Sequence, residues 1–93
     1  MKESEAIKKH FCPVCGFNNL KEPVRGKEGE PSFEICPSCG VEFGVDDDES
    51  NYEELRGKWL KLGAKWYSKR INQPENWNGQ RQCEQYLKDS LNS

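Results

Sequence analysis

The 93 residues hold 14 basic and 16 acidic side chains and a single histidine, and they are 33% hydrophobic and 32% charged. A chain this short and polar buries little apolar surface, and small scaffolds in that position lean on disulfides or a metal. The opening "MKESEAIKKH" has no apolar run behind it, and no later stretch approaches the ~20 apolar residues of a bilayer span. Neither a signal peptide nor a membrane helix is expected. A cytoplasmic address follows, where thiols stay reduced and metal is the expected staple.

The first element is a knuckle. "FCPVCGFNN", residues 11–19, places Cys12 and Cys15 in a C-x2-C pair. Pro13 presets φ just after the first ligand, and Gly16 lets the backbone turn through positive φ after the second. Phe17 and Leu20 suggest a short strand. "KEPVRGKEGEPS", residues 21–32, has two prolines, two glycines and mixed charge, which is loop chemistry. In "SFEIC" the residues Phe33 and Ile35 alternate with Ser32 and Glu34, and in "VEF" Val41 and Phe43 flank Glu42, as in a hairpin. Between these two runs lies the second knuckle, Cys36-Pro37-Ser38-Cys39-Gly40.

Two such pairs separated by twenty residues indicate a four-thiolate site for one Zn²⁺, with Cys12, Cys15, Cys36 and Cys39 as ligands. Knuckle amides are expected to point at the sulfurs. Four thiolates also suit iron, which heterologous expression can load. A redox CxxC calls for one active pair in a strand-to-helix setting, which this doubled pattern does not offer. His10 stands beside Cys12 on a basic segment and is expected to be solvated, because four cysteines already close the shell. Formal charge is −2, and four thiolates less one divalent cation lower it by two, to −4.

Residues 46–54 hold six negative charges and no positive one. Ser50 with Glu53 has the form of a capping box, so a helix is expected from about 51 to 68. Its apolar stripe is Tyr52, Leu55, Trp59, Leu62 and Trp66, and Lys58, Lys61, Lys65 and Lys69 form a second stripe roughly opposite. "INQPENWNG", residues 71–79, is a loop bracketed by Pro74 and Gly79, with Trp77 as its anchor or as a contact for a partner. A last helix is expected from about Gln80, with Cys83, Tyr86, Leu87 and Ser90 on a common side. There Cys83 acts as a small buried hydrophobe. All four Phe precede residue 45 and all three Trp and three Tyr follow residue 50, which predicts distinct aromatic cores in the two halves.

The expected fold is a small α+β one. A zinc ribbon over residues 1–48, with three short antiparallel strands and two CPxCG knuckles, is followed by a helical extension over residues 49–93 with two helices packed on it, in one integrated domain. "CPVCG", "EICPSCGVEFG", "VDDD" and "RGKWLKLGAKWYS…PENW" resemble small bacterial zinc-ribbon proteins of unknown function, related in style to the cysteine-rich CPCC family. The likeness spans roughly residues 11–77. It implies zinc and a bacterial cytoplasm and supplies no activity.

One histidine, no phosphate loop and no carboxylate pair in an apolar pocket leave no catalytic constellation, so a non-enzymatic protein is expected. The leading expectation is a structural-zinc module that binds another protein, with Lys58, Lys61, Lys65 and Trp77 as candidate partner surface. The alternative is a nucleic-acid-binding ribbon using the lysines, with a rubredoxin-like or redox protein behind it. Residues 55–93 hold eight positive and three negative charges, but the acidic run abuts them and disfavours binding to phosphate.

Overall fold

Prolines and tight turns dominate residues 11–45, and the computed structural model, described over residues 10–91, places no regular element there. Three helices follow: α1 (Asp46–Glu49), α2 (Tyr52–Lys61) and α3 (Gly79–Leu91). No strand or sheet forms among the described residues. Antiparallel pairing is confined to three isolated bridges, His10 with Leu20, Arg25 with Pro31 and Ile35 with Glu42.

The expected α+β zinc ribbon with three strands and two helices is therefore wrong. The physical reason lies in the backbone around the second knuckle. Phe33 takes φ 60°, a left-handed turn that breaks the extended run before Cys36. Only Glu34 and Ile35 then separate that turn from the knuckle. Of the alternating residues, Phe33 and Ile35 are exposed, whereas Val41 and Phe43 are buried.

Each helix boundary has a local cause. The backbone N–H of Ser50 closes α1 by donating to the Asp46 carbonyl, so Ser50 is not the N-cap of α2. That role falls to Asn51, whose side chain accepts from the Glu54 amide at 2.8 Å while Glu54 accepts from the Asn51 amide at 3.2 Å. The capping box thus stands one residue later than Ser50 and Glu53 implied. At the other end, Gly63 (φ 107°) donates to the Leu60 carbonyl and Ala64 to the Trp59 carbonyl, at 3.1 and 2.8 Å. This is a Schellman motif, and it stops α2 seven residues before the expected end at 68. Lys65, Trp66 and Lys69 therefore lie beyond the helix, and neither predicted stripe is continuous. Leu62, assigned to the apolar face, is 77% exposed.

The acidic run is a tether. Asp47, with its side chain 2% exposed, pairs with Arg25 at 3.0 Å and accepts from the Gly44 amide at 2.7 Å. That ion pair ties the 21–32 loop to α1.

The buried core is centred on the knuckles. Cys12, Val14, Cys15, Cys36 and Phe43 are fully enclosed, joined by Trp59 and Ala64 at the end of α2 and Cys83 on α3. The aromatics of the two halves meet instead of forming distinct cores, as packing of the helical extension on the first half requires. Phe17 meets Trp66 edge-on at 5.8 Å, Trp66 meets Trp77 at 5.2 Å, and Phe11 stacks on Tyr86 at 5.9 Å. No helix among the described residues is long and apolar enough to cross a membrane.

Candidate metal centre

The two knuckles fold alike. In the first, the Cys12 amide donates to the Phe17 carbonyl and the Gly16 amide to the Cys12 carbonyl, both at 2.8 Å. In the second, the Cys36 amide donates to the Val41 carbonyl at 3.0 Å and the Gly40 amide to the Cys36 carbonyl at 2.8 Å. Gly16 and Gly40 sit at φ 86° and 83°, in the left-handed region that favours glycine. These two glycine amides close the turns on carbonyl oxygen.

Facing one another, the knuckles gather Cys12, Cys15, Cys36 and Cys39 so that all four Sγ atoms lie within 4.8 Å of one another. Cys12 Sγ is 3.8 Å from Cys39 Sγ, and Cys15 Sγ is 3.6 Å from Cys36 Sγ. A disulfide requires about 2.05 Å, so these are separate thiols. A tetrahedron with Zn–S near 2.3 Å has S···S edges of about 3.8 Å, and the observed spacings fit it. The donor set can hold one metal ion.

Charge makes the same point. Hydrogen bonds from Cys12, then Cys36 and Cys39, pull the Cys15 thiol far below its ordinary range. Cys36 and Cys39 are pushed far above theirs, first by their hydrogen bonds to Cys12 and Cys15. Four thiols this close cannot all ionise against one another. A divalent cation among them removes the conflict, since a coordinating thiol is deprotonated.

The helical half grips this centre through groups that the sequence did not announce. Arg56 on α2 donates from Nε to the Val14 carbonyl at 2.8 Å and from its second nitrogen to the Pro13 carbonyl at 2.7 Å. Gln82 on α3 donates from Nε2 to the Cys15 carbonyl at 3.1 Å and to the Ser38 hydroxyl at 3.0 Å, so one amide reaches both knuckles. Its own oxygen accepts from Trp77 Nε1 at 2.8 Å, which fixes the amide's orientation. A tyrosine covers each knuckle glycine. A Cβ on Gly16 would lie 2.5 Å from Tyr86, and one on Gly40 the same distance from the ring of Tyr67. Backbone contacts add to this, with the Tyr67 and Ser68 amides both donating to the Pro37 carbonyl. The one available signal was Arg56 itself, a forked cation beside the lysines Lys58 and Lys61 of the same helix.

Other sequence-nominated residues take different places. His10 is outside the thiol cluster, its carbonyl accepting from the Leu20 amide. Cys83 is buried, and burial is the chief cause that pushes its thiol up. Lys58 and Lys61 are exposed on α2. Lys65 and Trp77 line a shallow depression beyond that helix, together with Trp66 and Gln80. Trp77 is half-buried, its ring against Trp66 and Trp59.

No family model matches the chain, and no solved structure matches it. It has bacterial relatives. Uncharacterized protein YoaQ of Bacillus subtilis is 31% identical over 70 residues, covering 58% of this chain and 59% of that protein. Uncharacterized protein YozI of the same organism is 35% identical over 43 residues, covering 44% of this chain and 36% of its own length. The chain thus spans less than two thirds of either relative. With the four-thiol cluster, these similarities fit a small cysteine-rich bacterial protein, and they do not show the CPCC family.

Proposed function

We propose that this protein is a non-enzymatic module held together by one structural Zn²⁺ on Cys12, Cys15, Cys36 and Cys39, and that it works by binding another protein. The observation that carries the reading is the closed set of four thiols, gripped by Arg56, Gln82, Tyr67 and Tyr86. A catalytic zinc keeps a position open for water or substrate, whereas four cysteines leave none. Ile35, Tyr67 and Ile71, exposed side by side around one groove, support a protein partner, because contiguous exposed apolar groups mark interaction sites. The free thiols support a reducing compartment, the bacterial cytoplasm.

Elemental analysis of reduced, folded protein tests the metal. The expected result is one zinc per chain, lost on replacing any one of the four cysteines with serine. Cys83→Ala should keep that stoichiometry and cost about 1 kcal/mol in urea unfolding. A folded, reduced sample with no bound metal ends the reading. Stoichiometric iron in protein from the native host replaces zinc with an iron–thiolate centre.

A further inference from the structure

Beside the second knuckle lies an open groove of about 840 Å³, lined by Lys21, Ile35, Pro37, Tyr67, Ser68, Lys69, Arg70 and Ile71. Its apolar surface is Ile35, Tyr67 and Ile71, which are 47%, 58% and 50% exposed. Its cations, Lys21, Lys69 and Arg70, are also exposed, and none of them forms an ion pair among the described residues. Among the described residues, no acidic side chain lines it. The neighbouring Glu34 carboxylate is turned onto the Lys21 and Glu22 amides, at 2.9 and 3.2 Å. A chain with net charge −2 therefore gathers three cations, without an ion pair among the described residues, around three exposed apolar groups.

The backbone adds a further feature. Around the Ile35–Glu42 bridge the hydrogen bonds run from the Cys36 amide to the Val41 carbonyl and from the Phe43 amide to the Glu34 carbonyl. Ile35 is thus a non-hydrogen-bonded pair member, and its own N–H and C=O turn away from Glu42. Neither group has a partner among the described residues.

We propose that this groove docks an extended acidic segment of a partner protein, one that alternates carboxylate and aliphatic side chains. The proposal rests on the protein-binding reading above and names its surface. The segment pairs with the free N–H and C=O of Ile35, as a strand adds to an edge. Alternate side chains of a strand point to opposite sides, so aliphatic groups pack on Ile35, Tyr67 and Ile71 while carboxylates meet Lys21, Lys69 and Arg70. Nucleic acid fits less well. Two of the three apolar groups are isoleucines, which offer no stacking platform, and the net negative charge of the chain opposes a polyphosphate. Pro37 forms the floor through its bonds to Tyr67 and Ser68, so the groove depends on the metal knuckle.

The test is fluorescence anisotropy of the metal-loaded protein with a labelled peptide alternating Asp and Val. Alternating Asp and Ser, alternating Lys and Val, and mixed-sequence single-stranded RNA serve as comparisons. The Asp and Val peptide should bind most tightly, and raising salt from about 0.05 to 0.3 M should weaken it, because those concentrations shorten the screening length. Lys69→Glu with Arg70→Glu, and separately Ile35→Ser, should each weaken binding at least about tenfold. Metal content and helical circular dichroism of each variant must match the unaltered protein. Preferential RNA binding overturns the proposal. So does a concentration-dependent doubling of mass lost in the Lys69→Glu, Arg70→Glu variant, which makes a second copy the occupant. Failure of a folded, zinc-loaded protein to bind the peptide rejects the groove and leaves the zinc module standing, whereas absence of metal rejects the module itself.

Discussion

Arg56 ties α2 to the first knuckle through two carbonyls that no backbone amide of the described residues satisfies, those of Pro13 and Val14. Hydrogen bonds to a charged group contribute about 1.5–3 kcal/mol, and a half-buried site lies toward the lower end. Arg56→Met keeps the packing of the stem and removes both bonds, so it should destabilise the protein by about 2 kcal/mol in urea unfolding. Arg56→Lys should recover less than half of that loss. An ammonium is a point charge and cannot reproduce the fork that reaches two adjacent carbonyls. Full recovery by lysine would show that only the positive charge beside the thiolates matters. Arg56 was visible as one more cation near the lysines, but its partners lie more than forty positions back in the chain. Periodicity does not report on contacts of that range.

At the level of the element, two glycines near the end of α2, one inside the helix and one just beyond it, act in opposite directions through backbone entropy and strain. Gly57 lies in the interior of α2, exposed, and an added Cβ would meet nothing within 4 Å. Gly57→Ala should therefore stabilise the protein by about 0.5–1 kcal/mol, the helix-propensity difference. Gly63 has room as well, its nearest neighbour being the Lys65 side chain at 3.4 Å, but it holds φ 107° in the Schellman turn. Gly63→Ala should cost about 1–2 kcal/mol, the penalty of a side chain in left-handed backbone. Chemical denaturation of the two variants in parallel checks both signs. The same glycine explains why α2 was overestimated in length. The apolar spacing from Tyr52 to Trp66 continues across Gly63, yet Ala64 and Trp66 reach the core from an irregular segment rather than a helical face.

Across the whole molecule, the four-thiol cluster and the helices form a single structure. Tyr67, Tyr86, Arg56 and Gln82 all close on the knuckles, and Phe17 joins the tryptophan cluster through Trp66. Structural zinc supplies apparent binding free energies of about 10–16 kcal/mol, as large as the whole stability of a small domain at about 5–15 kcal/mol. Chelation should therefore unfold both halves together. Tryptophan emission and helical circular dichroism are expected to change in one transition at the same chelator concentration. Helical signal that survives chelation would show that α2 and α3 stand without the centre, and the grip described above would then be incidental.

The four-cysteine cluster, which could hold a metal ion, was legible because coordination chemistry is written locally. C-x2-C spacing, the proline after each first ligand and the glycine after each second ligand are short-range requirements, and Cys12, Cys15, Cys36 and Cys39 satisfy them twice. The helices around Trp59 and Cys83 were legible for the same reason, since capping and 3.6-residue spacing act within a few turns. Strands were not. Alternation in "SFEIC" says which residues could share a face, but a strand exists only if a second segment pairs with it over several residues. The left-handed turn at Phe33 and the knuckle at Cys36 leave room for one bridge. Tertiary structure alone decided which groups close over the sulfurs and which cations, Lys21, Lys69 and Arg70, meet around one groove. Residues so far apart in the chain become neighbours only when the knuckles fold back beneath the helices, and no local interaction encodes that arrangement.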